Sequence, residues 1–113
     1  MSYWISLQKN GELVSVPKYE EGGTYAIGGT EEADLNVTYN YGTNYARAGF
    51  NLYDDLHGKI AANTVLKLSR VVAVLGTVRD SDYWAAADGN AGYAANILLS
   101  WARLHPDAIW NVN

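Results

Sequence analysis

The sequence predicts an α+β domain: a small, mainly antiparallel sheet with about three helices packed on one of its faces. Three observations carry this. Asn10-Gly11 stands between two alternating runs, Tyr3-Trp4-Ile5-Ser6-Leu7 and Leu13-Val14-Ser15-Val16, and Asn-Gly in that setting is the strongest local hairpin signal. Apolar and polar residues alternate without a break from Asp34 to Tyr41, the period of a strand. Further on, Val65, Leu68, Val72 and Leu75, and then Ala94, Ile97, Leu98, Trp101 and Leu104, repeat at helical spacing.

Taken in order, the first two strands form the hairpin and Pro17 ends it. A Gly-rich passage follows, Gly22-Gly23-Thr24 and Gly28-Gly29-Thr30 around a short apolar piece, which reads as two tight turns. As a phosphate-cradling loop it fits neither the P-loop nor the dinucleotide spacing, and no Lys follows. In the strand 34–41, Leu35, Val37, Tyr39 and Tyr41 share the core face, and Asp34, Asn36, Thr38 and Asn40 form a polar row on the other. Gly42 breaks that strand, and Thr43 or Asn44 caps a helix through Tyr53 that has to accommodate Gly49. Asp55 to Lys59 is a turn. Asn63 or Thr64 caps the next helix, and Gly76 is placed as its left-handed C-terminal residue. The loop Arg79-Asp80-Ser81-Asp82-Tyr83-Trp84 leads into the last helix, which Pro106 stops. Ala108, Trp110 and Val112 alternate as a closing strand.

At 113 residues, with 49% hydrophobic and 18% charged residues, the chain reads as one globular domain over 1–113. The absence of cysteine removes disulfides, thiol catalysis and thiolate metal sites. No signal-peptide pattern and no membrane-length apolar run occur, so the expected compartment is the cytoplasm. The net charge of −4 argues against general nucleic-acid binding. Charge is also uneven: Glu20, Glu21, Glu31, Glu32 and Asp34 fall between residues 19 and 46 with no Lys or Arg, whereas most cations come later. The acidic stretch is either a solvated loop or a contact surface.

Candidate chemistry is sparse. A helix opening at Asn90 would present free N–H groups at Ala91, Gly92 and Tyr93, with Gly92 allowing close approach of an anion; the plainer reading makes Asn90 a cap. Tyr83 and Trp84 could stack on a nucleotide-like ligand or pack in the core. Arg47, Arg70 and Arg79 are candidate phosphate partners, and Asn36, Thr38 and Asn40 could read base or ribose edges. Asp80 and Asp82 suit an Asx turn better than a cation site, and neither His57 nor His105 has metal-ligand spacing; His105 is expected to satisfy the last helix carbonyls. No nucleophile elbow and no marked acid–base pair are present, so no catalytic residue, metal or cofactor is assigned. Nine Tyr and four Trp in so small a domain suggest a homo-oligomer.

Gly28-Gly29-Thr30, Leu35 to Tyr41, Leu75-Gly76-Thr77 with Asp82-Tyr83-Trp84, and Gly89 to Ala94 through Trp101-Ala102 and His105-Pro106 together resemble a family of small uncharacterised proteins of phage and prophage genomes. The resemblance implies an accessory viral protein acting in a bacterial cytoplasm. The leading expectation is a non-enzymatic counter-defence protein that binds and sequesters a small nucleotide-derived signalling molecule. The alternatives are an acidic inhibitor of a host defence complex or nuclease, contacting through Glu20 to Asp34, and a small ligand-cleaving enzyme.

Overall fold

The structure, a computed structural model, describes residues 2–17, 24–26 (backbone only), 31–82 and 85–113. Its strands are β1 (Ser2–Lys9), β2 (Glu12–Leu13), β3 (Thr24–Ala26), β4 (Asp34–Thr38) and β5 (Ile109–Val112). Its helices are α1 (Gly42–Arg47), α2 (Leu52–Leu56), α3 (Val65–Leu75) and α4 (Asp88–Leu104). The class is α+β, as the patterning predicts. Every strand pairing is antiparallel: β1 pairs with β2, β4 and β5, and β3 pairs with β4. Asn10 and Gly11 both adopt positive φ, +55° and +79°, which is the backbone of a two-residue type I′ turn.

Beyond the hairpin the strands fork. Leu7 N–H donates to Ala33 O (3.1 Å), Ala33 N–H to Val14 O (3.0 Å), and Val14 N–H to Leu7 O (3.0 Å), closing a triangle of backbone bonds among three segments. Val16 then bonds Glu31 and leaves β1. At the other end Trp4 and Asn113 exchange both of their backbone hydrogen bonds, at 3.1 and 2.9 Å.

Cross-strand register places Ile5, Leu7, Leu35, Val37, Trp110 and Val112 on one face, in one core with the buried residues of the helices. Trp110 Nε1 donates to Thr64 Oγ1 at 2.9 Å, and that hydroxyl donates to Ala61 O at 2.7 Å, so the core's indole nitrogen is satisfied. Trp101, Trp110, Tyr41 and Tyr45 are fully or almost fully buried. These four are part of the aromatic content from which a homo-oligomer was expected.

Several boundaries differ from those the periodicity suggests. The strand expected over 34–41 ends at Thr38, because Thr38 Oγ1 accepts the Asn40 N–H and starts a 3-10 turn over Tyr39–Tyr41. Tyr39, expected in the core, is 44% exposed. The helix expected through Tyr53 is two short ones, broken where Gly49 takes φ +73°; Asn51 caps the second by accepting Asp54 N–H. Thr64 stands at the start of α3 but spends its hydroxyl on Ala61 and Trp110 and caps nothing. Gly76, at φ +75°, ends α3 as expected. The Gly-rich passage contributes β3, and its flanks, 18–23 and 27–30, lie outside the described residues.

Candidate functional site

The polar row of the sheet is not an open reading surface. Asn36 and Thr38 are buried, on the face of the sheet turned away from the helices. Asn36 Nδ2 donates to Ser2 Oγ at 2.7 Å and Gln8 Nε2 to Ser6 Oγ at 2.9 Å, so these side chains are committed to one another. Asp34 shares this face, and burial, reinforced by Glu32, pushes its carboxyl up. Asn40 is exposed at the turn beyond the strand.

A second group gathers on the helix side, where α1, the connection 76–87 and the start of α4 meet. Asn90 is fully buried: its Oδ1 accepts Asp80 N–H at 2.9 Å, and its Nδ2 donates to Asp82 O at 3.0 Å and Ala85 O at 3.1 Å. It therefore clamps the connection from beneath and is not a helix cap. α4 begins earlier, at Asp88, with Ala87 in the cap position and no side-chain cap bond. Its free N–H groups consequently lie at the first turn, 88–90, and not at 91–93, since Ala91 N–H already bonds Ala87 O.

Gly92 does permit a close approach, but by the protein itself. A Cβ at Gly92 would lie 1.7 Å from Gly76 O, and one at Gly89 would lie 1.7 Å from Val78 O. The two glycines form the groove into which the connection is laid. Ala91 is buried and receives the Tyr45 hydroxyl on its carbonyl at 2.9 Å. The anion site expected at Ala91 and Gly92 is thus closed by backbone.

The dipole of α4 is instead met by a built-in anion. Asp88, in its first turn, accepts Arg47 Nη2 at 2.5 Å and Asn44 Nδ2 at 2.8 Å, and these two donors, the arginine first, hold its carboxyl below the usual range. Asn44 Nδ2 also donates to Ala86 O at 3.1 Å, while its Oδ1 is buried and has no hydrogen-bond partner among the described residues. Asn44 and Asp88 escape a motif-based reading; the signal available was Asn44 and Arg47 three apart on one helix face.

Arg79 lies over the Tyr93 ring, 4.5 Å from guanidinium carbon to centroid. Tyr41 stands close enough to feel both Arg79 and Asp82; burial pushes its phenol up to about 12, Arg79 opposing and Asp82 adding to the rise. The Tyr45 phenol is held well above its ordinary value, by burial first and then by Tyr41 and Tyr3. Asp80 Oδ1 accepts Asp82 N–H at 2.9 Å, the expected Asx turn.

Of the proposed ligand residues, the structure brings Arg47, Arg79, Asn90, Ala91, Gly92 and Tyr93 to one junction. Asn36 and Thr38 are on the far side of the sheet, and Arg70 is exposed midway along α3, so the single pocket joining all of them is not assembled. Tyr83 and Trp84 lie outside the described residues. His105 does not serve the last carbonyls of α4 with its ring: Nε2 bonds Ser15 O at 2.6 Å, and its backbone N–H reaches Trp101 O. His57 accepts Val112 N–H on Nδ1 at 3.0 Å and stacks on Tyr53. Among the described residues no group of three or more His, Cys, Asp and Glu could hold a metal, and no helix is long and apolar enough to cross a membrane.

The chain is similar to part of a protein described as "FAD-linked oxidoreductase orf1" from Neocamarosporium betae, at 35% identity over 79 residues. The match takes in 64% of the chain and spans 13% of that protein's length. No protein-family model matches the chain, and no solved structure matches it.

Proposed function

We propose that this protein is a non-catalytic binding protein that sequesters a small nucleotide-derived anion at the junction of α1, the 76–87 connection and α4. The observation that carries the reading is that two buried asparagines, Asn90 and Asn44, give their side chains to the backbone of one surface connection. A buried carboxamide spent on holding a loop favours one loop geometry over many, which is what a binding loop on a rigid support requires. That loop presents Arg79, oriented on Tyr93, and Arg47 reaches the first turn of the same α4 through Asp88. Two guanidinium groups suit phosphate oxygens, and the aromatic faces suit a base.

In this reading Arg79 and Arg47 hold the phosphates, with Arg47 exchanging Asp88 for the ligand, and Tyr93 contributes the stacking surface. The resemblance to phage proteins supplies the setting, a counter-defence role in a bacterial cytoplasm. The partial similarity to a protein named for FAD adds a flavin dinucleotide to the ligands worth trying.

The test is calorimetric titration with AMP, a cyclic dinucleotide, NAD and FAD, with native mass spectrometry of the mixtures. One of them is expected to bind with an affinity that falls as salt is added, and Arg79→Ala should weaken it by about 1.5–3 kcal/mol, the range for a hydrogen bond to a charged group. The ligand should be recovered chemically intact. Conversion to product would make the protein an enzyme, and no binding of any of the four at millimolar concentration would overturn the reading.

A further inference from the structure

The two histidines of the chain are wired in opposite senses, and one of them fastens the last strand. β5 is held by β1 along one edge. Along the other lies the segment 58–61: Ala61 N–H donates to Ala108 O at 2.8 Å, Trp110 N–H to Lys59 O at 3.0 Å, and Gly58 N–H to Trp110 O at 2.9 Å. The next amide on that edge is Val112, and its partner is a ring, His57 Nδ1 at 3.0 Å. A backbone N–H can only donate, so Nδ1 is bare and the proton of the neutral imidazole sits on Nε2. His105 is the reverse case. Its Nε2 faces Ser15 O at 2.6 Å, and a carbonyl can only accept, so that nitrogen carries a proton in the neutral and the charged ring alike. Charging His57 turns its acceptor into a donor aimed at another donor, whereas charging His105 leaves its bond in place.

We propose that His57 is a pH-sensitive fastener of the C-terminal end of β5, holding Val112 when the imidazole is neutral and releasing it when the imidazole is charged. The local chain places the ring for this. α2 ends at Leu56, the His57 N–H returns to Tyr53 O at 2.9 Å, and the two rings stack at 4.7 Å and 14°. Gly58, at φ +76°, then turns the chain onto the edge of β5. His57 is exposed, so its ring exchanges protons with solvent. Of the charged groups on neighbouring segments, Asp55 is engaged by Lys67 of α3 at 2.9 Å, and Asp54 and Lys59 are exposed. β5 and the stretch of β1 opposite it, Ile5 to Gln8, contribute no titratable side chain. The fastened state binds one proton fewer than the released one, so it is favoured as pH rises and loses that support as pH falls.

The experiment measures amide hydrogen exchange along β5 in the full chain at pH 8 and at pH 5, the span over which imidazoles ordinarily charge. Each rate is divided by that of an unstructured amide at the same pH, and the nitrogen shifts of both imidazoles are recorded alongside. At pH 8 the His57 proton is expected on Nε2. At pH 5 the protection of Val112 should fall by at least about threefold relative to Trp110, whose partner is a carbonyl that does not titrate. His57→Phe keeps a ring over Tyr53 but has no acceptor, and should show the low Val112 protection at both pH values. The wild-type measurements stand without the variant. A proton on Nδ1 at pH 8, a ring still neutral at pH 5, or equal Val112 protection at the two pH values would overturn the proposal. So would an equal fall at Val112 and Trp110, which is general loosening, or a wild-type pH response in His57→Phe.

Discussion

Replacing Gly92 by alanine isolates the contact on which the connection rests. In a helix interior the change ordinarily stabilises by about 1 kcal/mol, since alanine is the better helix former. Here the new methyl would sit 1.7 Å from Gly76 O, and contacts under 3.0 Å are essentially never seen, so that carbonyl has to retreat by about 1.3 Å or the helix has to shift. Gly76 is held by its own bond to Val72 O at 2.8 Å and by a left-handed φ, which leaves it little room to yield. Overpacking of this kind costs roughly 1–3 kcal/mol or more and outweighs the gain in propensity. The internal control is Gly42, in the first turn of α1 at φ −55°, where an added methyl would have nothing within 4 Å. Gly42→Ala should be neutral or stabilising by up to about 1 kcal/mol. Urea unfolding of the two variants, with hydrogen exchange across 76–87, reads both effects. If Gly92→Ala proves as stable as Gly42→Ala and exchange in the connection is unchanged, the connection is not laid against α4 in solution and the argument for a preformed site fails.

Asn90→Ala removes three hydrogen bonds to the connection and is expected to cost about 2–3 kcal/mol, more than a lost cap, with faster hydrogen exchange over 80–85 than elsewhere. Val37→Ala should destabilise by roughly 1–3 kcal/mol in chemical denaturation because Val37 is fully buried, whereas Tyr39→Ala, at a half-exposed ring, should cost under about 1 kcal/mol. Asp34, whose carboxyl is raised by burial, binds its proton more tightly folded than unfolded. Its effect favours the fold below the ordinary carboxylate value of 3.8 and is lost as pH rises through the folded value, so Asp34→Asn should raise the melting temperature at pH 7 and not at pH 3. Asp88 has the opposite sign: its depressed carboxyl supports the fold at neutral pH and ceases to as pH falls below 3.8, and Asp88→Asn should flatten that part of the acid limb in thermal melts.

Local chemistry made the architecture legible. The Asn10-Gly11 turn, the Gly76 stop, the helix spacing of Val65 to Leu75 and the alternation of Ala108, Trp110 and Val112 all depend on neighbours within a few residues, and all are where the pattern puts them. The failures share a cause. Thr38 alternates like a strand residue, yet its hydroxyl finds the Asn40 N–H and turns the chain. Asn90 precedes an apolar run like a cap, yet the demand placed on it comes from Asp80, Asp82 and Ala85 across a fold the local sequence does not display. Gly92 was recognisable as a point of close approach, but not as one already taken by Gly76.

The position of β1 has a consequence for how the chain reaches this state. It emerges from the ribosome ahead of the strands it pairs with, β2, β4 and β5, and the last of these begins at Ile109. The hairpin can close at once, but the edge that receives β5 stays without a partner until translation has passed all four helices. During that interval the backbone of Ile5 to Gln8 is an open template for any extended segment nearby. Long-range pairing of this kind also slows folding, because the loop must be closed before the contacts reward it. Chains stalled or cut before Ile109 should therefore aggregate through β1, and a short synthetic strand with the sequence of residues 108–113 should suppress that aggregation when added in trans.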